Sequence, residues 1–201
     1  MRNLGMKLAI SLLIGGLIAA IATPAGAWPV GLDFITGGGF IFTPPPPYSV
    51  TSVPGSRANF GWHGGVKNGD WWGNGNYVDH GGAFGQSPFH VHARDVTGYI
   101  VVADYPPDKN GHPRGTRDIC GNADTNAGGP VQYRVRMRDL GEPGRNSDAF
   151  GIALFYGGSL IYLNQNFLSG GNIQLHKGNR SNTAPSAPPS CDSLPDPFAF
   201  T

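Results

Sequence analysis

The sequence predicts an all-β fold, a single antiparallel β-sandwich of jelly-roll type, and three observations predict it. Apolar side chains recur at every second position in several short segments, the period of a strand with one buried face. Turn-forming runs, among them Asn68-Gly69-Asp70, Glu142-Pro143-Gly144 and Gly157-Gly158, separate those segments at hairpin spacing. Of 201 residues, 32 are glycine and only 13% are charged, as in turn-rich β proteins, and past the N-terminal leader no stretch has the capped 3.6-residue period of a helix.

In chain order, residues 1–27 read as a signal peptide. Arg2 and Lys7 precede an apolar stretch over 8–22, and Ala25-Gly26-Ala27 supplies the small-residue cleavage site, so the mature chain is expected to begin at Trp28. The alternative is an uncleaved anchor, but the stretch is shorter than the roughly 20 residues of a spanning helix. Residues 34–42 form a first strand interrupted by three glycines, and the prolines at 44–47 force an extended connection. Residues 57–66 and 71–78 form an aromatic-rich hairpin around Asn68-Gly69-Asp70. A strand region follows over 89–102, ended by a proline- and glycine-rich loop over 106–115.

The clearest alternation lies at 131–139. Val131, Tyr133, Val135 and Met137 face the core, while Gln132, Arg134, Arg136 and Arg138 face water. Residues 150–156 and 160–163 flank the Gly157-Gly158 turn, and 173–177 make the closing strand. About seven to nine short strands in one domain over 28–177 indicate a sandwich. From 178 to 201 the chain turns Pro/Ser-rich and is expected to be extended or disordered, with Phe198 and Phe200 able to dock once Cys191 is tied down. Asn179-Arg180-Ser181 fits the glycosylation sequon, a short and unspecific pattern.

The full chain carries 14 basic and 13 acidic residues. Without Arg2 and Lys7 the balance is 12 against 13, which gives no case for nucleic acid as a partner. No second apolar stretch of spanning length follows the leader, so no membrane span is expected after cleavage. Export to an oxidising compartment favours a disulfide between Cys120 and Cys191, the alternative being two unpaired thiols.

Several clusters are candidate sites. Trp71 and Trp72, beside Trp62 and Tyr77, have the amphipathic rings that serve as platforms for sugars. Being adjacent, they point to opposite faces of a strand, although both also suit packing, one in the core and one under a loop such as 44–47. Arg134, Arg136 and Arg138, at every second residue, present guanidinium groups for the carboxylates of an acidic polysaccharide, or simply a solvated sheet face. Asp139, Glu142 and Asp148 gather hard oxygens on one turn, which suits Ca2+ or a plain Pro-Gly turn. His80, His92 and His176 would suit zinc or copper if their strands were neighbours. His90 and His92 form an H-x-H pair like that of the cupin metal motif, but the glutamate that motif requires is missing. No G-x-S-x-G elbow is present.

With these residues laid out, the chain resembles the post-COAP family of glycine-rich β-domains found in secreted and surface-anchored bacterial proteins. The resemblance rests on the order of Ile35-Thr36-Gly37-Gly38-Gly39, Ala58-Asn59-Phe60-Gly61, Asn76-Tyr77-Val78-Asp79-His80, Val91-His92, Val96-Thr97, Ile119-Cys120-Gly121, Gly141-Glu142-Pro143-Gly144 with Asp148 and Phe150, and residues 170–177. It implies an exported bacterial module and carries no catalytic residues with it. The expected function is a secreted, non-enzymatic structural or binding domain of the envelope or matrix that contacts polysaccharide or other surface proteins. The alternative is a polysaccharide hydrolase or lyase using Asp139 and Glu142.

Overall fold

The computed structural model describes residues 31–201; the signal peptide and cleavage site expected from the sequence lie outside the described residues. Eleven strands follow one another: β1 (Phe34–Phe42), β2 (Ser49–Val50), β3 (Arg57–Lys67), β4 (Asp70–Asp79), β5 (Phe89–Ala93), β6 (Gly98–Tyr105), β7 (Arg114–Thr125), β8 (Val131–Asp139), β9 (Ala149–Tyr156), β10 (Ser159–Phe167) and β11 (Gly170–His176). They form one sheet in the order β11-β1-β3-β4-β5-β7-β8-β9-β10-β2, with β6 also paired to β7. All the strand pairings are antiparallel. Among the described residues no helix is long and apolar enough to cross a membrane.

The sheet curls through β5, so that β11-β1-β3-β4 faces β7-β8-β9-β10 across a shared core. Aromatic contacts mark the closure. Phe60 on β3 stacks on Phe150 of β9 at 3.9 Å, and Trp62 meets Tyr133 of β8 edge-on at 5.0 Å. The Trp62 indole occupies the space where a Cβ on Gly75 would stand, 2.0 Å from its ring. The inward residues of β8 are the four that alternation predicts, and all are buried with Ile35, Ile41, Ile119, Ile152 and Leu154.

A polar knot at one side of this core anchors the proline-rich connection between β1 and β3. Asp79, fully buried, accepts hydrogen bonds from Ser52 Oγ at 2.5 Å and Tyr162 OH at 2.8 Å. Asn164 Nδ2 donates to Thr43 Oγ1 and to Tyr77 OH, both at 2.8 Å. A buried carboxylate is tolerable only when its oxygens are met in this way.

One strand adds to those expected from the sequence. β7 is a long central strand, yet it was not legible as one. Its inward positions include Arg117, held by Asp33 at 2.6 Å and Asp104 at 2.7 Å, and the small Gly121 and Ala123, while its outward positions carry Asp118 and Cys120. Neither side shows the apolar alternation that marks a half-buried strand.

Of the two courses open to the tail, its final segment takes the docked one. Cys191 is joined to Cys120 as expected. A short 3-10 turn, Ser190–Ser193, seats Cys191 and Leu194 against Ile100, Ala153, Phe155 and Leu163 on the outer face of the second layer. That face is shaped to receive it: a Cβ on Gly151 would stand 2.7 Å from the Phe198 ring, and one on Gly98 2.8 Å from the Ser190 amide nitrogen. The molecule therefore has two outer faces, one covered by its own tail and one open.

Candidate functional site

The arginine row lies on the covered face. Arg134 and Arg136 are each 1% exposed and converge on Asp118, which is wholly buried. Arg134 Nε and Arg136 Nε each donate to that carboxylate at 2.7 Å, and Arg136 Nη2 also reaches Asp196 of the tail at 2.7 Å. Further donations run to the tail carbonyls of Leu194 at 2.9 Å and Phe200 at 2.8 Å. Burial works against the Arg136 charge, but Asp118 and Asp196 outweigh it and raise its pKa. Arg138 sits between the rings of Phe167 and Phe200, at 5.0 and 5.2 Å, and its pKa is lowered by burial. The row is thus a corrected expectation: two of its three guanidinium groups are sealed beneath the tail and are out of reach of a polysaccharide.

The acid turn also has internal partners. Asp139 Oδ2 accepts from the Leu175 amide at 2.8 Å, and Asp148 accepts from Ile173 at 2.9 Å and Leu140 at 3.0 Å. Leu175 and Ile173 lie on β11, whose other side pairs with β1, so the two carboxylates cap amides on its free edge. An uncapped edge would invite another strand to pair. Burial pushes the Asp148 pKa up to about 6, helped by the charges of Asp139 and Glu142, and burial likewise raises that of Asp139. Glu142 is exposed and accepts from Asn172 Nδ2 at 2.7 Å. The hydrolase pair therefore consists of one acid turned to backbone and one turned to an amide.

Among the described residues no three His, Cys, Asp or Glu side chains gather as a metal group. The three acids of the turn and the three histidines are thus not brought together as such side-chain groups. His176 on β11 and His92 on β5 are four strands apart, about 19 Å at the usual strand spacing, and His80 lies in the exposed turn after β4. His176 Nε2 instead pairs with Thr36 Oγ1 at 2.9 Å, and burial lowers its pKa. His92 Nδ1 pairs with Asn76 at 2.7 Å.

Trp71 and Trp72 do point to opposite faces. Trp71 packs against the core, and Trp72 lies on the open outer face of β11-β1-β3-β4-β5. Strand register arranges that face in rows. His176, Phe34, Gly65 and Trp72 form the first, and Gln174, Thr36, His63 and Asn74 the second. Asn172, Gly38, Gly61, Asn76 and His92 form the third, and Gly170, Phe40, Asn59, Val78 and His90 the fourth. No Asp, Glu, Lys or Arg stands in any of these rows.

The aromatic groups of the first rows touch one another. Phe34 stacks on His176 at 4.5 Å, and Trp72 lies tilted at 5.7 Å from Phe34 and 5.4 Å from His63. Beside them the paired Gly38 and Gly61 leave a shallow depression of about 470 Å³, edged by Thr36, His63, Asn172 and Gln174. A second hollow of about 320 Å³ lies beyond Phe34 and Trp72, lined by Lys67, Asn68, Asn179 and Asn182. The arrangement offers aromatic faces and neutral hydrogen-bonding groups over a wide area, with Lys67 at its edge.

Of this face, Trp72, His90, His92 and His176 were singled out from sequence as candidate site residues. The positions of Phe34, Thr36 and Gly38 on one side of β1 follow from alternation. That they meet His63, Asn74 and Gln174 depends on register across four strands, which no local pattern encodes. The class these features define is an all-β antiparallel sandwich with one outer face closed by its own tail and the other open. No family model, curated protein or solved structure matches the chain.

Proposed function

We propose that the protein is an exported, non-enzymatic bacterial module of the envelope or matrix that binds polysaccharide on the open face of β11-β1-β3-β4-β5. This is the kind of role implied by the resemblance of its sequence blocks to the post-COAP family. The observation that carries the reading is the bare floor at Gly38 and Gly61. A Cβ on Gly61 would meet nothing within 4 Å, and one on Gly38 only an ordinary contact at 3.6 Å. Neither residue has the positive φ that favours glycine.

The fold therefore tolerates side chains at both positions, and each glycine in a strand interior costs about 0.5–1 kcal/mol relative to alanine. A floor kept bare against that cost fits a surface on which something flat must lie. Sugar rings suit it, since they stack on aromatic side chains and exchange hydrogen bonds with amides, hydroxyls and imidazoles.

The test is affinity electrophoresis of the purified protein in gels containing soluble neutral polysaccharides. Gly61→Phe fills the depression from outside the core, so its melting temperature should match the parent while retardation by the bound polysaccharide is lost. Trp72→Ala should weaken retardation in the same gels. Undiminished retardation of Gly61→Phe in every gel that retards the parent overturns the reading.

A further inference from the structure

The open face is longer than its central depression, and what lies at its far end bears on the form of the ligand. From Phe40 to Phe34 the floor runs six residues along β1, about 20 Å at the usual rise per residue. It does not stop there. Phe34 and Trp72 are walls of the second hollow, and His63, on the edge of the first depression, links the two through its contact with Trp72. The second hollow is closed from outside the sheet by the chain after β11, where Asn182 Nδ2 donates to Leu32 O at 2.9 Å and its Oδ1 accepts from the Asn68 amide at 2.8 Å. This stretch of tail is fastened alongside the aromatic ridge and extends the surface beyond the strands.

The lining of the two hollows is close to uncharged, while Arg57, over the Phe40 ring at 4.0 Å, and Glu142, bonded to Asn172 at 2.7 Å, stand at the margins. No Asp, Glu, Lys or Arg lines the first depression, and Lys67, opposite Asp70 in the strand pairing, is the single such residue lining the second. Gln174, central to the first, makes no side-chain hydrogen bond to another described residue. The one concentrated set of cations, Arg134 and Arg136, is neutralised under the tail on the opposite face. With no charge lining the first depression and a single cation lining the second, the path gives a polyanion little electrostatic return for the water it must shed, so charge complementarity selects an uncharged chain.

Resting on the glycan-binding reading above, we infer that the ligand is a linear, uncharged polysaccharide. It is held as an internal stretch that crosses the Phe34–Trp72 ridge and occupies both hollows at once. The path runs along the outer surface of β11-β1-β3-β4, so a chain can cross it without presenting a terminus. Each hollow adds contacts only when the chain is long enough to reach it.

The experiment is isothermal titration of the purified protein with linear neutral oligosaccharides of increasing length, from cello-, xylo-, manno- and chito-series, with alginate and polygalacturonate as acidic probes. Affinity should rise at least tenfold from the disaccharide to a chain long enough to span about 20 Å, and the acidic polymers should bind more weakly than their neutral counterparts. Asn179→Trp, on the exposed tail, fills the second hollow. It should leave short oligosaccharides unaffected and abolish the gain with length, while Gly61→Phe removes binding at every length.

If affinity is flat with length, or a polyuronate binds best, while Gly61→Phe still abolishes binding, this inference falls and the glycan-binding reading stands. If Gly61→Phe leaves all binding intact, both fall together. Thermal melts of each variant separate loss of binding from loss of fold.

Discussion

Replacing Asp118 by asparagine tests the account of the covered face at its centre. Asp118 is fully buried and receives Arg134 Nε at 2.7 Å, Arg136 Nε at 2.7 Å and Arg136 Nη2 at 2.8 Å, with Arg134 Nη2 a further 2.6 Å contact. Two guanidinium groups thus share one buried carboxylate, and Asp196, 32% exposed, supplies the second negative charge. Asp118→Asn keeps the shape and removes the charge, so two buried cations face one partly solvated anion. Removing one partner of a buried ion pair costs about 3–5 kcal/mol, and the residual hold of Asp196 on Arg136 places the expectation at the lower end, about 3 kcal/mol. That is a large share of the roughly 5–15 kcal/mol that stabilises a typical domain.

Urea denaturation followed by tryptophan fluorescence measures it, with two comparisons in the same series. Asp196→Asn, at a part-exposed site, should cost no more than about 1 kcal/mol. The triple variant Asp118→Leu, Arg134→Met, Arg136→Leu removes all three buried charges and should return to within about 1–2 kcal/mol of the parent. In that triple variant the carbonyls of Leu194 and Phe200 lose their arginine donors, so amide exchange over the final residues should rise even as global stability recovers. A loss under about 1 kcal/mol for Asp118→Asn would refute the argument that the buried Asp118 carboxylate holds both arginines.

Three other outcomes follow from the same geometry. Cys191→Ser opens a loop with a sequence separation of 71, and the chain-entropy relation puts the loss at about 4 kcal/mol; an unchanged urea midpoint would contradict it. Asp148, raised to about 6 from an unfolded value near 3.9, binds its proton more tightly in the folded state. Its contribution is therefore full below about pH 4 and disappears as pH rises to about 6, with up to about 3 kcal/mol at stake. The parent should lose stability relative to Asp148→Asn across that window, and a constant difference between the two curves would count against the shift. Tyr162→Phe deletes the hydroxyl that meets Asp79 at 2.8 Å and Tyr77 OH at 2.7 Å, and leaving those groups unmet should cost about 1–3 kcal/mol by thermal melting.

How far the fold could be read ahead depended on how many faces of a strand were asked to be apolar. β8 was legible on its inward side because Val131, Tyr133, Val135 and Met137 alternate without a break. Its outward side was misread, since charged residues on alternate positions look the same whether water or a buried carboxylate neutralises them. β7 failed on both sides for that reason, with Arg117 and Asp118 each satisfied by a partner distant in sequence. Docking of the tail was left open between two outcomes because its anchors, Leu194, Asp196 and Phe198, are scattered among prolines and become a docking segment only where Gly98 and Gly151 make room.

The sequence by itself determined an all-β antiparallel fold, the Asn68-Gly69 and Gly157-Gly158 hairpins, the opposed directions of Trp71 and Trp72, and the pairing of Cys120 with Cys191. Each of these rests on a period of two, on turn chemistry or on the presence of just two cysteines, and all are local or countable. Only the tertiary structure decided which outer face stays open, which charges are buried, and that Gly38, Gly61, Gln174, His63 and Trp72 share one surface. Those outcomes depend on register between strands far apart in the chain and on where the tail comes to rest, and neither leaves a mark on any single segment.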